Sequence, residues 1–196
     1  MTKVNIKKTH GLCGGLMVVI SFLFFIGLVS CTQHSEGTCK YKFESLATGR
    51  VSYDICTYSI KKNHTGYEFF YRNDKDSSIM KFKVDVATNE LRILNESVIE
   101  DVASYVGEQT YLINGDELKV NCFRSNNEEL IGPDLLVFCN ETYGILIMKY
   151  TGFVRELIEF DLDNCGIDLV RKIKEDSLFY QYGGQKMELP STMRNL

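Results

Sequence analysis

The chain has 196 residues, 44% of them hydrophobic and 24% charged, and a formal net charge of −4. That acidic balance, without a dense basic run, argues against nucleic acid or anionic lipid as the main partner. No tandem repeat or low-complexity segment interrupts it, and the length suits one domain with a substantial core.

Lys3, Lys7 and Lys8 give a basic start, and no acidic residue precedes Glu36. Leu16 to Val29 is then apolar except for Ser21 and Gly27. A positive n-region before an apolar run of about 7–15 residues reads as a secretory signal. A permanent span usually needs about 20 apolar residues. Here polar Ser30 and TQHSEG follow, without a basic stop.

Leu28-Val29-Ser30-Cys31 resembles the lipobox of bacterial lipoproteins. The resemblance covers the signal segment alone. It implies a diacylglyceryl group on the Cys31 thiol, cleavage between Ser30 and Cys31, and acylation of the new amine. Several acyl chains at one residue anchor far better than one. In the enterobacterial sorting pattern, Thr32 after the cysteine implies the outer membrane, and the absence of an acidic run favours its periplasmic face over the cell surface. The expected organisation is a signal peptide at 1–30, lipidated Cys31 with a short tether at 31–38, and a single β-rich domain at 39–196. Processing leaves 166 residues with 19 basic and 26 acidic side chains, a charge near −7.

Short stretches rich in Tyr, Phe, Val and Ile alternate with polar positions, which is a β pattern. Strands are expected over 40–45, 51–60, 67–72, 79–86, 90–94, 109–113, 117–123, 134–139, 143–150 and 154–160. Ser97 to Glu100 spells a capping box, with Val98, Ile99, Val102, Ala103 and Val106 on one helical face and Gly107 as the stop. A second helix is expected over 167–175, then a closing hairpin from 178–182 and 186–189. The fold class is α+β, mostly β: an antiparallel meander with one or two short helices.

Five cysteines follow Cys31. A first hairpin turning at 46–49 places Cys39 opposite Cys56, and a loop at 127–134 places Cys122 opposite Cys139. Opposed residues lie about 4.5–5.5 Å apart at Cα, within disulfide range, and an exported domain can oxidise. Cys39–Cys56 and Cys122–Cys139 are therefore possible disulfides, with Cys165 left over. Asp161, Asp163 and Asp168 around Cys165 oppose a reactive thiolate.

Chemistry is sparse. His64 stands alone in a loop, and no Cys-x-x-Cys pair, Gly-x-Ser-x-Gly elbow or phosphate loop is present, so no metal or cofactor is assigned. Glu159, Asp161 and Asp163 would share one face of a strand, with Phe160 and Leu162 inward. Paired carboxylates of that kind suit a hydrolase. Asp161 to Lys172 fails as a calcium loop because Cys165 and Lys172 occupy ligand positions. Tyr67, Phe69 and Tyr71 share a face expected in the core. Asn63, Asn95 and Asn140 begin glycosylation sequons. The leading expectation is a membrane-anchored, non-enzymatic binding or envelope-assembly module. Its partner would be an envelope protein or a small apolar ligand. A carboxylate hydrolase and a secreted glycoprotein are the alternatives.

Overall fold

The computed structural model describes residues 33–95, 100–125, 135–150 and 152–183. Among them are ten strands: β1 Gln33–Ser45, β2 Val51–Asn63, β3 Gly66–Asn73, β4 Ile79–Asp85, β5 Glu90–Asn95, β6 Glu100–Ile113, β7 Asp116–Ser125, β8 Leu135–Asn140, β9 Gly144–Lys149 and β10 Phe153–Phe160. Two helices follow, α1 Cys165–Glu175 and α2 Ser177–Tyr182. Each strand pairs antiparallel with its neighbours in sequence, and β1 pairs with β10 to close an up-and-down barrel. The expected mostly β antiparallel meander with one or two short helices is the observed class, here with two helices and a closed barrel.

Closure follows from alternation. Antiparallel partners project side chains to the same face, so apolar positions line up in rows across the sheet. One row runs Ile60, Phe69, Phe82, Ile93, and the next runs Tyr67, Val84, Leu91, Ala103. Tyr58, Tyr71 and Met80 form a third. These rows face inward, and most of their members are buried. Bulges at Lys40/Tyr41, Tyr105/Gly107 and Phe138/Cys139 interrupt the ladders, where the added twist helps a sheet curl onto itself. At the β6–β7 turn, Asn114 and Gly115 both take positive φ, as a two-residue type I′ hairpin requires.

A second apolar layer lies outside the barrel. Leu169, Val170 and Ile173 on α1 and Phe179 on α2 are buried. Phe138 meets the rings of Phe179 and Tyr180, and Tyr111 meets Phe179 edge-on. Strand β8 is consequently buried at every position, and β9 at all but Lys149. Asp163 Oδ1 accepts from the Cys165 amide at 2.8 Å, and Asp176 Oδ1 accepts from Phe179 N at 3.1 Å. Each satisfies a helix-start donor, and Gly183, at φ 66°, ends α2.

Three expectations are corrected. Of the predicted helix, 97–99 lie outside the described residues, while Glu100 to Val106 belong to β6. Its β-branched residues suit a strand with partners on both sides, and β5 and β7 supply them. Leu178 to Tyr182 fall in α2 rather than a hairpin strand; 186–189 lie outside the described residues. Gln33 to Thr38, expected in the tether, belong to β1 and pair with β2.

Candidate functional site

Tyr41, Tyr71, Met80, Phe82, Ile145, Met148 and Arg155 meet inside the barrel and leave no cavity of water size among them. Tyr41 Oη donates to the Ile145 carbonyl at 2.7 Å, and the Ile145 amide donates to Tyr71 Oη at 2.8 Å. Two tyrosines thereby satisfy both backbone groups of one residue beside the β8–β9 bulge. Burial holds both phenols well above their ordinary pKa, so they stay neutral.

Arg155 is the charged group in this interior. Its guanidinium lies 4.5 Å from the centre of the Tyr41 ring. Nη1 reaches Met80 Sδ at 3.4 Å and Nη2 reaches Cys56 Sγ at 3.6 Å, both weak acceptors. The nearest carboxylate oxygen, Asp54 Oδ2, is 3.9 Å away, and Nε is buried without an acceptor. Sequence reasoning missed this group, since Arg155 stands in an ordinary alternating strand.

All five described cysteines are free thiols. Cys39 does lie opposite Cys56, as the hairpin argument expects. No bridge joins them; Cys39 Sγ lies 3.6 Å from the Cys56 carbonyl. The second pair fails in register: Cys122 faces Phe138, and Cys139 faces Asn121. A one-residue shift turns the two thiols to opposite faces of the sheet. Burial pushes the Cys122 thiol up to about 12 and raises Cys39, Cys56 and Cys139 as well, so these four are inert neutral groups.

The three acidic residues do not share a strand face. Strand β10 ends at Phe160, which stacks on Tyr58, and Leu162 is 54% exposed rather than inward. Glu159 is exposed, 3.8 Å from Lys40. Asp161 Oδ1 accepts from Tyr58 Oη at 2.9 Å, and Oδ2 accepts from the Thr38 amide at 2.6 Å. Gly37 permits that approach, because a Cβ there would run into the Asp161 carboxylate. Asp163 Oδ2 accepts from Tyr143 Oη at 3.1 Å while Oδ1 starts α1. These carboxylates tie β1, β2 and the β8–β9 turn to the segment entering α1. Among the described residues no group of three or more His, Cys, Asp or Glu is placed to hold a metal ion.

The surface divides into two kinds. Outward positions on β3, β4 and β5 carry Glu68, Arg72, Lys81, Lys83 and Arg92, with Glu68 3.7 Å from Lys81 and 4.0 Å from Lys83. An outer-membrane barrel presents an apolar band outward and a polar interior. Here the apolar face is inside and charge faces out. No helix among the described residues is long and apolar enough to cross a membrane. On β2, by contrast, Val51, Tyr53 and Ile55 project outward and are nearly half exposed. Farther along β2, past Thr57 and Arg72, Phe70 of β3 stands opposite Ser59 and lines a separate surface groove of about 280 Å³ with Glu36, Ser59, Lys61, Glu68 and Lys81.

Of the sequons, Asn140 is 2% exposed; its Oδ1 accepts from Thr142 N and Tyr143 N, and its Nδ2 donates to the Lys119 carbonyl at 2.8 Å. A glycan on that nitrogen would have to displace the interior bond. Cys31 and the signal segment lie outside the described residues. No protein-family model matches the chain, and no curated protein matches it either.

Proposed function

We propose that the chain is an exported lipoprotein, anchored through Cys31, that acts as a non-enzymatic module binding a protein of the cell envelope. The observation that carries the choice of partner is the close packing inside the barrel. With no water-sized cavity among Tyr41, Tyr71, Phe82 and Arg155, recognition falls to the outer face, where Val51, Tyr53 and Ile55 of β2 lie exposed. Aromatic and aliphatic anchors rimmed by charge are the usual make-up of a protein-binding patch. Lys40 and Lys42 stand opposite Ile55 and Tyr53 on β1, and Glu44 stands opposite Val51. Of the carboxylates that suggested a hydrolase, Asp161 and Asp163 accept hydrogen bonds within the fold, which weighs against that reading.

The test has two parts. Intact mass of natively expressed protein should show acyl groups on a chain beginning at Cys31. A photo-crosslinking side chain in place of Tyr53 should then yield a discrete adduct in cells, while the same group at Arg92 yields none. A mass fitting an unmodified Cys31 would remove the lipoprotein reading. Equal labelling at both positions would remove the binding face.

A further inference from the structure

We propose that the end of the barrel at which β1 begins rests on the bilayer, with Leu162, Val86 and Leu112 dipped into a zwitterionic lipid interface. The inference rests on the anchored reading above and adds an orientation and a lipid contact to it.

Its starting point is the short connection. Strand β1 is paired from Gln33 onward, opposite Lys62, so two peptide units reaching about 7 Å separate Cys31 from the sheet. Any lipid on Cys31 therefore holds this end, and not the opposite one, at the membrane surface.

Exposed aliphatic side chains stand at that end on three separate connections. Val86 follows β4 and is 54% exposed; its amide donates to the Thr65 carbonyl at 3.0 Å, which puts it level with the β2–β3 turn beside Lys62. Leu162, in the β10–α1 connection, lines a cleft with His34 and Ser35, the second and third residues of β1. Leu112 is 68% exposed near the tip of the β6–β7 hairpin, where Asn114 Nδ2 reaches Cys165 Sγ at 3.5 Å, three residues after Leu162. Water gains nothing from such groups, whereas an interface accepts them about 5–10 Å deep.

Charge at the rim selects the lipid. Lys62 is paired with Glu141 at 2.7 Å, and Glu36 lies 3.1 Å from His34. Beside the start of β1, carboxylates thus offset the basic groups and leave Lys61 as the lysine there without an ion pair among the described residues, too little to gather anionic headgroups.

The chain contains no tryptophan, so a single introduced one is an unambiguous reporter. Leu162→Trp, Val86→Trp and Leu112→Trp, with Leu46→Trp at the opposite end as control, are purified as natively processed full chains. Each is reconstituted into phosphatidylcholine vesicles with and without bromine on the upper acyl carbons. Blue-shifted emission at 86, 112 and 162, with brominated lipid quenching about threefold stronger than at 46, is the expected result. Acyl mass on Cys31 with all four reporters equally unquenched overturns the rim contact and leaves the anchor standing. A blue shift without quenching also overturns it, because protein, such as a second copy, then covers the rim. Absence of acyl mass and of vesicle binding overturns anchor and rim together.

Discussion

Asp161 offers the sharpest test of whether the acidic segment holds the barrel together or performs chemistry. Replacing it with alanine removes two hydrogen bonds to a carboxylate, from Tyr58 Oη at 2.9 Å and from Thr38 N at 2.6 Å. The two donors then meet different fates. Thr38 is exposed, so water replaces the lost acceptor. Tyr58 is 3% exposed, so its hydroxyl is left without one. An orphaned buried hydroxyl costs about 1–3 kcal/mol, so Asp161→Ala should destabilise by about 2 kcal/mol, a fall in Tm of about 5 °C for a domain of this size. Tyr58→Phe removes the donor with its acceptor still solvated and should cost about 1 kcal/mol. The double variant should therefore lose less than the sum, with a coupling of about 1 kcal/mol in urea unfolding. Glu159→Gln, at an exposed side chain, should stay within about 0.5 kcal/mol of the parent. Strict additivity of the two losses, or an Asp161→Ala protein as stable as the parent, would refute the clamp.

Three further outcomes are expected. In the native protein, iodoacetamide should modify Cys165, the half-exposed thiol, while Cys39, Cys56, Cys122 and Cys139 react only in denaturant; mass spectrometry of the digested protein reads this directly. Those buried thiols have folded pKa values raised above the unfolded 9.0, about 12 for Cys122, so their contribution to stability is complete below pH 9 and is lost as pH rises toward 12; a Tm that stays level across that window would contradict their burial. Replacing Arg155 with methionine should leave stability unchanged or raise it, because Nε lacks an acceptor and Asp54 is 3.9 Å away, whereas Asp54→Asn should lower it by leaving the guanidinium less compensated; the reverse order in denaturant midpoints would show that the ion pair is a net stabiliser. Asn140→Ala strips acceptors from two backbone amides and a donor from the Lys119 carbonyl, and a loss of about 3 kcal/mol in urea is expected; a loss below about 1 kcal/mol would mean that water enters and replaces the amide.

Much of the fold was legible because strand signals are local. The alternation in Tyr67, Phe69 and Tyr71 placed one face inward, and all three lie in the barrel core or against it. The first hairpin was legible to the residue, since a short loop between two long strands fixes register. The second hairpin was not, because its loop is long and an error of one residue there exchanges the faces of Cys122 and Cys139. Residues 98–106 were ambiguous, as their apolar spacing matches a helical face while the β-branched side chains favour a strand. Pairing decided the matter, and pairing is non-local. The same limit hid the closure of β1 on β10 and the contacts of Arg155, both of which join positions more than a hundred residues apart or depend on the strands between them. In the acidic segment sequence shows carboxylates but not the donors, Tyr58, Thr38 and Tyr143, that Asp161 and Asp163 meet in the fold.

Closure constrains how such a protein can interact at all. An open sheet of this length would expose two edges, each a template for strand addition and aggregation. Here β1 and β10 pair with each other over Cys39–Ser45 and Phe153–Phe160, which takes that stretch of edge out of reach of strand addition. Around Tyr41, Tyr71 and Arg155 the interior is closely packed, and the exposed large apolar side chains stand on the outer face and at the rims. Such positions are largely uncoupled from the core, because inward and outward residues alternate along each strand. Tyr53 and Ile55 can therefore change without moving Asp54 between them or Cys56 after them, and a Tyr53→Ser/Ile55→Ser variant should keep the parent Tm within about 2 °C while losing the crosslinked partner. Loss of both together would place these residues in the fold rather than at a binding face.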